Sequence, residues 1–286
     1  LNRNRAKMTQ LKSFENGFSY LQVNNLSCSA KVALQGAHIF EFREVLHDNL
    51  LWLSPISEFT QQKAIRGGIP ICWPSFGNNN PNLAQHGFAR TSLFKLISAE
   101  DIDEYTTQII LKLTDTQESR KLWNYQFELE VIFTLSDTLC VELKTTNKDT
   151  KAFKITQALH TYFDISDIYH VKISGLDNKP CFDALTQKTE PFAGDITFNE
   201  EFDRVFQNLH DNLLLKDKNR TIQIKSSGSS SAVIWNPWID KCAKMSAMKP
   251  DSYKEFVCIE NANAYEDFRV IQANKSHTLK ATFTSL

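Results

Sequence analysis

Alternation is the dominant pattern along this chain. Apolar and polar residues take turns with period two in FSYLQVN (18–24), TTQIILKLT (106–114), YQFELEVIFTLS (125–136) and TLCVELKTTN (138–147). A strand half-buried on a sheet requires this, because its successive side chains point to opposite faces. The same reading extends to AKVALQGAHIFEFRE (30–44), SLFKLISAE (92–100), FKITQALHTYFDI (153–165) and HVKISGL (170–176), and to TIQIKSS (221–227), SAVIWN (231–236), EFVCIENA (255–262) and HTLKATFTSL (277–286). Short turns such as Ser136-Asp137 join the runs, and no long helical period separates them. That argues against βαβ units and predicts an all-β chain, a large antiparallel β-sandwich in which every sheet face is covered. A helix of one or two turns is predicted in TDTQESRKLW (114–123), capped by Thr114 or Asp115. SSGSSS (226–231) reads as a turn between neighbouring strands. Residues 1–14 read as a disordered or vector-derived N-terminus, with Met8 as the natural initiator, and 15–286 as one domain.

Composition narrows the class. With 286 residues, 42% of them hydrophobic and 20 of them Phe, the chain has ample material for a core that leans to β-structure. A net charge of −1 gives no global field for nucleic acid or an anionic membrane. No apolar run approaches the ~20 residues that span a bilayer. The six cysteines are scattered without a CxxC pair, several of them inside apolar runs such as TLCVEL and FVCIE. This suits reduced, packed thiols in the cytoplasm; a catalytic cysteine would need an electropositive setting. Seven histidines occur with no HxH, HExxH or Cys/His cluster, so no metal is expected.

One segment breaks the alternation: RGGIPICWPSFGNNNPNLAQHGFAR, residues 66–90. A stretch this long without its own period is functional or disordered. Ile69, Ile71, Cys72, Trp73, Phe76 and Phe88 within it argue against disorder. Arg66 and Arg90 bracket it, and a guanidinium fork matches the oxygens of a phosphate. Gly67-Gly68 and Gly87 would let the backbone approach a ligand. Trp73 and Phe76 are either walls for a sugar's C–H faces or ordinary core.

Two further side chains carry chemistry. In FKITQALHTYF, alternation puts Thr156, Ala158, His160 and Tyr162 on one face, too polar for core and too small for a plain solvent surface, which suits the floor of a cleft. By itself His160 also fits a hydrogen-bonded structural histidine. In FVCIENA, Phe256, Cys258 and Glu260 share one face, and a carboxylate there is costly unless paired or facing a wet pocket. A salt bridge at a strand end satisfies that equally. Asp203-Arg204 reads as a local surface pair.

RGGIPICWPSFG, QHGFAR, ALHTYF, DRVF, WNPW and CIENA, in that order, resemble the hexose-6-phosphate mutarotases of the aldose 1-epimerase (galactose mutarotase-like) superfamily, over residues 15–286. The resemblance implies a supersandwich of antiparallel sheets with a sugar cleft, a small sugar phosphate as partner, and neither metal nor organic cofactor. It implies His160 as catalytic acid and Glu260 as catalytic base, with Arg66, Gln85, Arg90 and Asp203 binding substrate and His86 beside them. A monomer is expected. Two alternatives stay open: an aldose 1-epimerase for unphosphorylated sugars, which has no need of paired arginines, and a carbohydrate-binding module, which has no need of an acid–base pair.

Overall fold

The computed structural model describes residues 8–78 and 80–286. Two eight-stranded antiparallel sheets dominate it. The first runs Lys172–Ser174, Leu213–Lys216, Thr221–Ser227, Ser276–Ser285, Thr138–Asn147, Phe127–Leu135, Thr107–Thr114 and Lys95–Asp101. Its long strands keep the alternation read from the sequence: in Phe127–Leu135 every second residue is buried, with the partners half-exposed. The second sheet runs Lys188–Pro191, Pro180–Asp183, Phe202–Phe206, Ser231–Asn236, Phe256–Asn263, Gln157–Leu159 and Ile71–Cys72, and Tyr162–Asp164 also pairs with Phe256–Asn263. A four-stranded sheet (Thr9–Ser13, Ser19–Asn24, Cys28–Ala33, His38–Glu44) completes the architecture with a two-stranded one, Phe153–Ile155 on Arg269–Ile271.

Inward-facing residues of the two large sheets join one core, as in the edge-to-face contact of Phe163 with Phe283 at 5.4 Å. The second sheet differs from the first in one respect that matters for function. Ser231–Asn236 and Phe256–Asn263 are buried along their whole length, on both faces. One face meets the core; Phe76 and His86 of the 66–90 loop pack on the other.

Several local expectations are corrected. The helix spans Gln117–Leu122, and its cap is Thr116, not Thr114 or Asp115, because Thr116 and Ser119 close a reciprocal capping box. The 226–231 turn links strands of different sheets rather than neighbours. The 153–165 run breaks into Phe153–Ile155, Gln157–Leu159 and Tyr162–Asp164, because its first strand pairs with Arg269–Ile271 and the rest join the second sheet. The expected terminal segment 1–14 contains a strand, Thr9–Ser13, whose backbone pairs with Ser19–Asn24; residues 1–7 lie outside the described residues. All six cysteines are free thiols. No helix among the described residues is long and apolar enough to cross a membrane.

Candidate active site

Strand register assembles the site. Val205 opposes Val233, and Val233 opposes Glu260. Leu159 opposes Asn261 and Tyr162 opposes Cys258, so position 160 falls opposite 260 and His160 ends the same row. One flanking row holds Asp203, Trp235, Cys258 and Tyr162; the other holds Ser231, Ala262, Ala158 and Cys72. The alternation in FVCIENA and ALHTYF therefore sends Val257, Ile259, Leu159 and Phe163 to the core and the chemistry to the outer face. A slip of one residue would exchange the two sets. Cys72, Ala158, Ala262, Val205 and Val233 make a floor of small side chains around the row, with Phe76 and Phe182 packed on it.

His160 Nε2 lies 3.4 Å from Glu260 Oε1, with His160 9% and Glu260 2% exposed. His160 Nδ1 and Glu260 Oε2 have no hydrogen-bond partner among the described residues. Polar atoms buried without partners are costly, which marks the pair as a candidate site. Burial pushes the Glu260 carboxyl well above its ordinary range, reinforced by the Asp203 charge and opposed by Arg90. Burial also holds His160 well below its ordinary value, with His86, Arg90 and Arg66 acting in the same direction. A Glu260 carboxylate in this setting is a strong base and a His160 imidazolium a strong acid.

The 66–90 loop brings the arginines to this pair from both its ends. The Arg66 backbone N–H donates to Ser57 Oγ (2.9 Å), and its Nη1 donates to the Tyr162 hydroxyl (3.4 Å). Arg90, in a 3₁₀ turn over Ala89–Thr91, donates from Nη2 to the Gln85 carbonyl (2.7 Å). Gln85 itself is exposed, and this carbonyl is its structural contribution to the site. Both guanidinium charges bear on His160 and on His86. Asp203, half-buried, has its carboxyl pushed up by burial, with Lys241 opposing. Its neighbour Arg204 pairs with Asp183 at 2.9 Å rather than with Asp203, since adjacent strand residues face opposite ways. The local-pair reading of Asp203-Arg204 is thereby corrected.

His86 shows how tightly the loop is built. Its φ of +66° is a left-handed conformation that costs energy outside glycine. Its N–H donates to the Gly77 carbonyl (2.9 Å), its Nδ1 accepts from the Gly77 N–H (3.2 Å), and its ring packs between Phe76 (5.1 Å) and His160 (5.7 Å). A backbone N–H can only donate, so Nδ1 carries no proton and Nε2 does. Burial, then Arg90 and Arg66, push this imidazole down to about 3. His86 is thus a fixed neutral donor. Nitrogen-15 NMR is expected to find its Nε2–H tautomer unchanged from pH 8 to pH 4; titration near 6.5 would contradict the geometry.

Two expectations about the loop are overturned. Trp73 is fully buried away from the outer face, with Trp123 (5.2 Å), Phe127 (4.6 Å) and Phe88 (5.6 Å) around it and its indole N–H on Thr145 Oγ1 (2.9 Å). It is core, while Phe76 lies under His86 on the outer face. The glycines admit not a ligand but the chain itself: a Cβ on Gly68 would strike the Ile39 carbonyl, and one on Gly87 the Trp73 carbonyl. Two members of the site went unread in the sequence. Tyr162 stacks on His160 (4.9 Å, 9° between planes), and Trp235 meets His160 edge-on (5.9 Å). Tyr162 shared the alternation face of His160, and Trp235 opens the WNPW motif of the family resemblance, but no role was read for either.

Glu260 also sets a stability test. Its folded-state value lies above the unfolded one, near 4.5, so between the two the folded chain holds a proton that the unfolded chain has released. Its stabilising contribution is present below about pH 4.5 and lost as pH rises. Glu260→Gln removes that loss, and its melting temperature relative to wild type is expected to climb from pH 4.5 to pH 8. A difference independent of pH would count against a buried, proton-retaining carboxyl.

A large antiparallel sandwich bearing a facing histidine and carboxylate on a small-residue sheet floor defines a galactose-mutarotase-like protein. The chain belongs to the aldose 1-epimerase family, whose profile matches residues 19–284. An Escherichia coli K12 protein provisionally named glucose-6-phosphate 1-epimerase is 34% identical over 260 residues, covering 89% of this chain and 86% of its own. A Cenchrus ciliaris protein of the same provisional name is 34% identical over 251 residues, covering 82% and 75%. A crystal structure from Salmonella typhimurium, provisionally described as a mutarotase, superposes with a TM-score of 0.90 at 32% identity, covering 97% of this chain and 93% of that one. The chain is an epimerase of this family.

Proposed function

We propose that this epimerase interconverts the α and β anomers of a hexose 6-phosphate, with glucose 6-phosphate as its principal substrate. The observation that carries the reading is the contact of His160 with Glu260 at 3.4 Å beneath two arginine charges. Opening a pyranose requires a proton on the ring oxygen and removal of the proton from the C1 hydroxyl. Those two oxygens share one carbon, so an acid and a base already in contact can address both at once. A proton shift across the 3.4 Å contact converts the resting pair of neutral His160 and protonated Glu260 into imidazolium and carboxylate. The imidazolium then gives its Nε2 proton to the ring oxygen while the carboxylate takes the hydroxyl proton. The bond from C1 to the ring oxygen breaks, C1 becomes an aldehyde, and His160 is left a neutral imidazole and Glu260 a neutral carboxylic acid until ring closure reverses both transfers. Rotation about C1–C2 presents the other carbonyl face, and the same groups run the transfers backwards. Each contributes roughly 10²–10⁴ in rate.

The remaining residues orient the sugar. His86 donates from Nε2, and Asp203 and Gln85 take hydroxyl groups. Arg66 and Arg90 grip the phosphate, which carries about −1.5 to −2 charge near neutral pH. A neutral sugar needs no such pair, which favours the phosphorylated substrate over free glucose. Anomer-exchange NMR on glucose 6-phosphate beside free glucose and galactose tests the reading. Acceleration confined to the phosphorylated sugar is expected. Equal acceleration of the free sugars would return the chain to an unphosphorylated substrate, and no acceleration of any would make it a binding module.

A further inference from the structure

Tyr162 is 2% exposed and lies between the two functional groups of the proposed site. Its ring lies nearly parallel to His160, 4.9 Å away at 9°, and it also stacks on Trp52 at 5.8 Å and 25°. Phe256 (5.1 Å) and Trp235 (6.1 Å) hold its flanks. Its hydroxyl accepts from Arg66 Nη1 at 3.4 Å. Its backbone is pinned as firmly, donating to the Gly68 carbonyl (2.9 Å) and accepting from the Trp52 N–H (3.0 Å). The Trp52 indole N–H in turn donates to Glu255 Oε2 (3.1 Å).

We propose that Tyr162 is a positioning residue that sets two groups at once: its ring fixes the plane of the His160 imidazole, and its hydroxyl fixes the Arg66 guanidinium. The inference rests on the reading of His160 as acid and Arg66 as phosphate ligand. A histidine whose Nδ1 lacks a hydrogen-bond partner among the described residues has no second-nitrogen anchor there of the kind that usually orients a catalytic imidazole. Stacking between Tyr162 and the edge of Trp235 supplies that orientation instead. A long arginine side chain loses rotamer freedom when it binds phosphate, and a fixed hydroxyl partner takes part of that cost before the substrate arrives.

Two substitutions separate the two roles. Tyr162→Phe keeps the ring and removes the acceptor. The net worth of an ordinary hydrogen bond corresponds to about 2- to 10-fold, so KM for glucose 6-phosphate is expected to rise by that factor with kcat within about 2-fold of wild type. Tyr162→Leu removes the ring as well, and kcat on the same substrate is expected to fall by about 10-fold or more, since misplaced general acids lose rate. A merely structural tyrosine would instead lower the melting temperature and move KM and kcat together. Titration with inorganic phosphate, followed by NMR at the Arg66 Nε–H, reads the hydroxyl role without turnover. Weaker phosphate binding in Tyr162→Phe supports the proposal, and binding equal to wild type overturns it. Should the wild-type chain accelerate no anomer exchange, the functional reading falls while this titration still decides the tyrosine–arginine link. Should Arg66→Ala lose phosphate and Tyr162→Phe lose none, only the positioning role falls.

Discussion

Replacing Glu260 with Gln, or His160 with Ala, is expected to lower anomer exchange on glucose 6-phosphate by at least ~10²-fold. The two proton transfers are coupled: protonating the ring oxygen without removing the hydroxyl proton leaves a charged, high-energy sugar, and the reverse order does the same. Loss of either partner therefore forfeits most of what both supply, and the double variant is expected to be little slower than the worse single one. The fold should survive both changes. Gln keeps the volume of Glu260 while removing a buried carboxyl whose Oε2 has no hydrogen-bond partner among the described residues, and His160 sits on the outer face rather than in the core. Exchange measured by NMR with far-UV circular dichroism on the same samples provides the check. A rate within a few-fold of wild type in either variant would remove that residue from the chemistry.

Legibility of the fold in the sequence followed the solvent. Where one sheet face is wet and the other packed, as in Phe127–Leu135 and Thr138–Asn147, period-two alternation marks the strand. It fails in 153–165, where neighbouring short strands serve different sheets. The short pair Pro180–Asp183 and Lys188–Pro191 also escapes notice, being too brief and polar for a pattern. Glu260 stood out because a carboxylate among Phe256, Val257, Cys258 and Ile259 demands a physical reason, and its register opposite His160 supplied the geometry. Trp73 misled for the converse cause. An indole in a glycine-rich loop reads as a ligand wall, yet Trp123 and Phe127 enclose it from positions no local pattern connects to it. The Arg66–Tyr162 contact spans 96 positions and leaves no trace in either segment.

Substituting Ala for Arg66 or Arg90 is expected to cost kcat/KM on glucose 6-phosphate ~10- to 150-fold, because a hydrogen bond to a charged group contributes about 1.5–3 kcal/mol. The slow reaction with free glucose should barely change, since that sugar carries no phosphate to lose. Arg→Lys should rescue only in part: an ammonium keeps the charge and gives up the planar fork. The two positions are also expected to differ. Arg90 is held by the Gln85 carbonyl and offsets part of the upward push on Glu260, so its removal should raise the Glu260 value further and move the pH profile to higher pH. Arg66 bears on His160 and not on Glu260, so its variant should move only the limb of the profile set by His160. If the arginines served only to tie down the loop, both sugars would suffer alike and the melting temperature would fall with them. Kinetics on both sugars, pH profiles and melting curves for the two variants discriminate these outcomes, and a parallel loss on glucose and glucose 6-phosphate would sink the phosphate assignment.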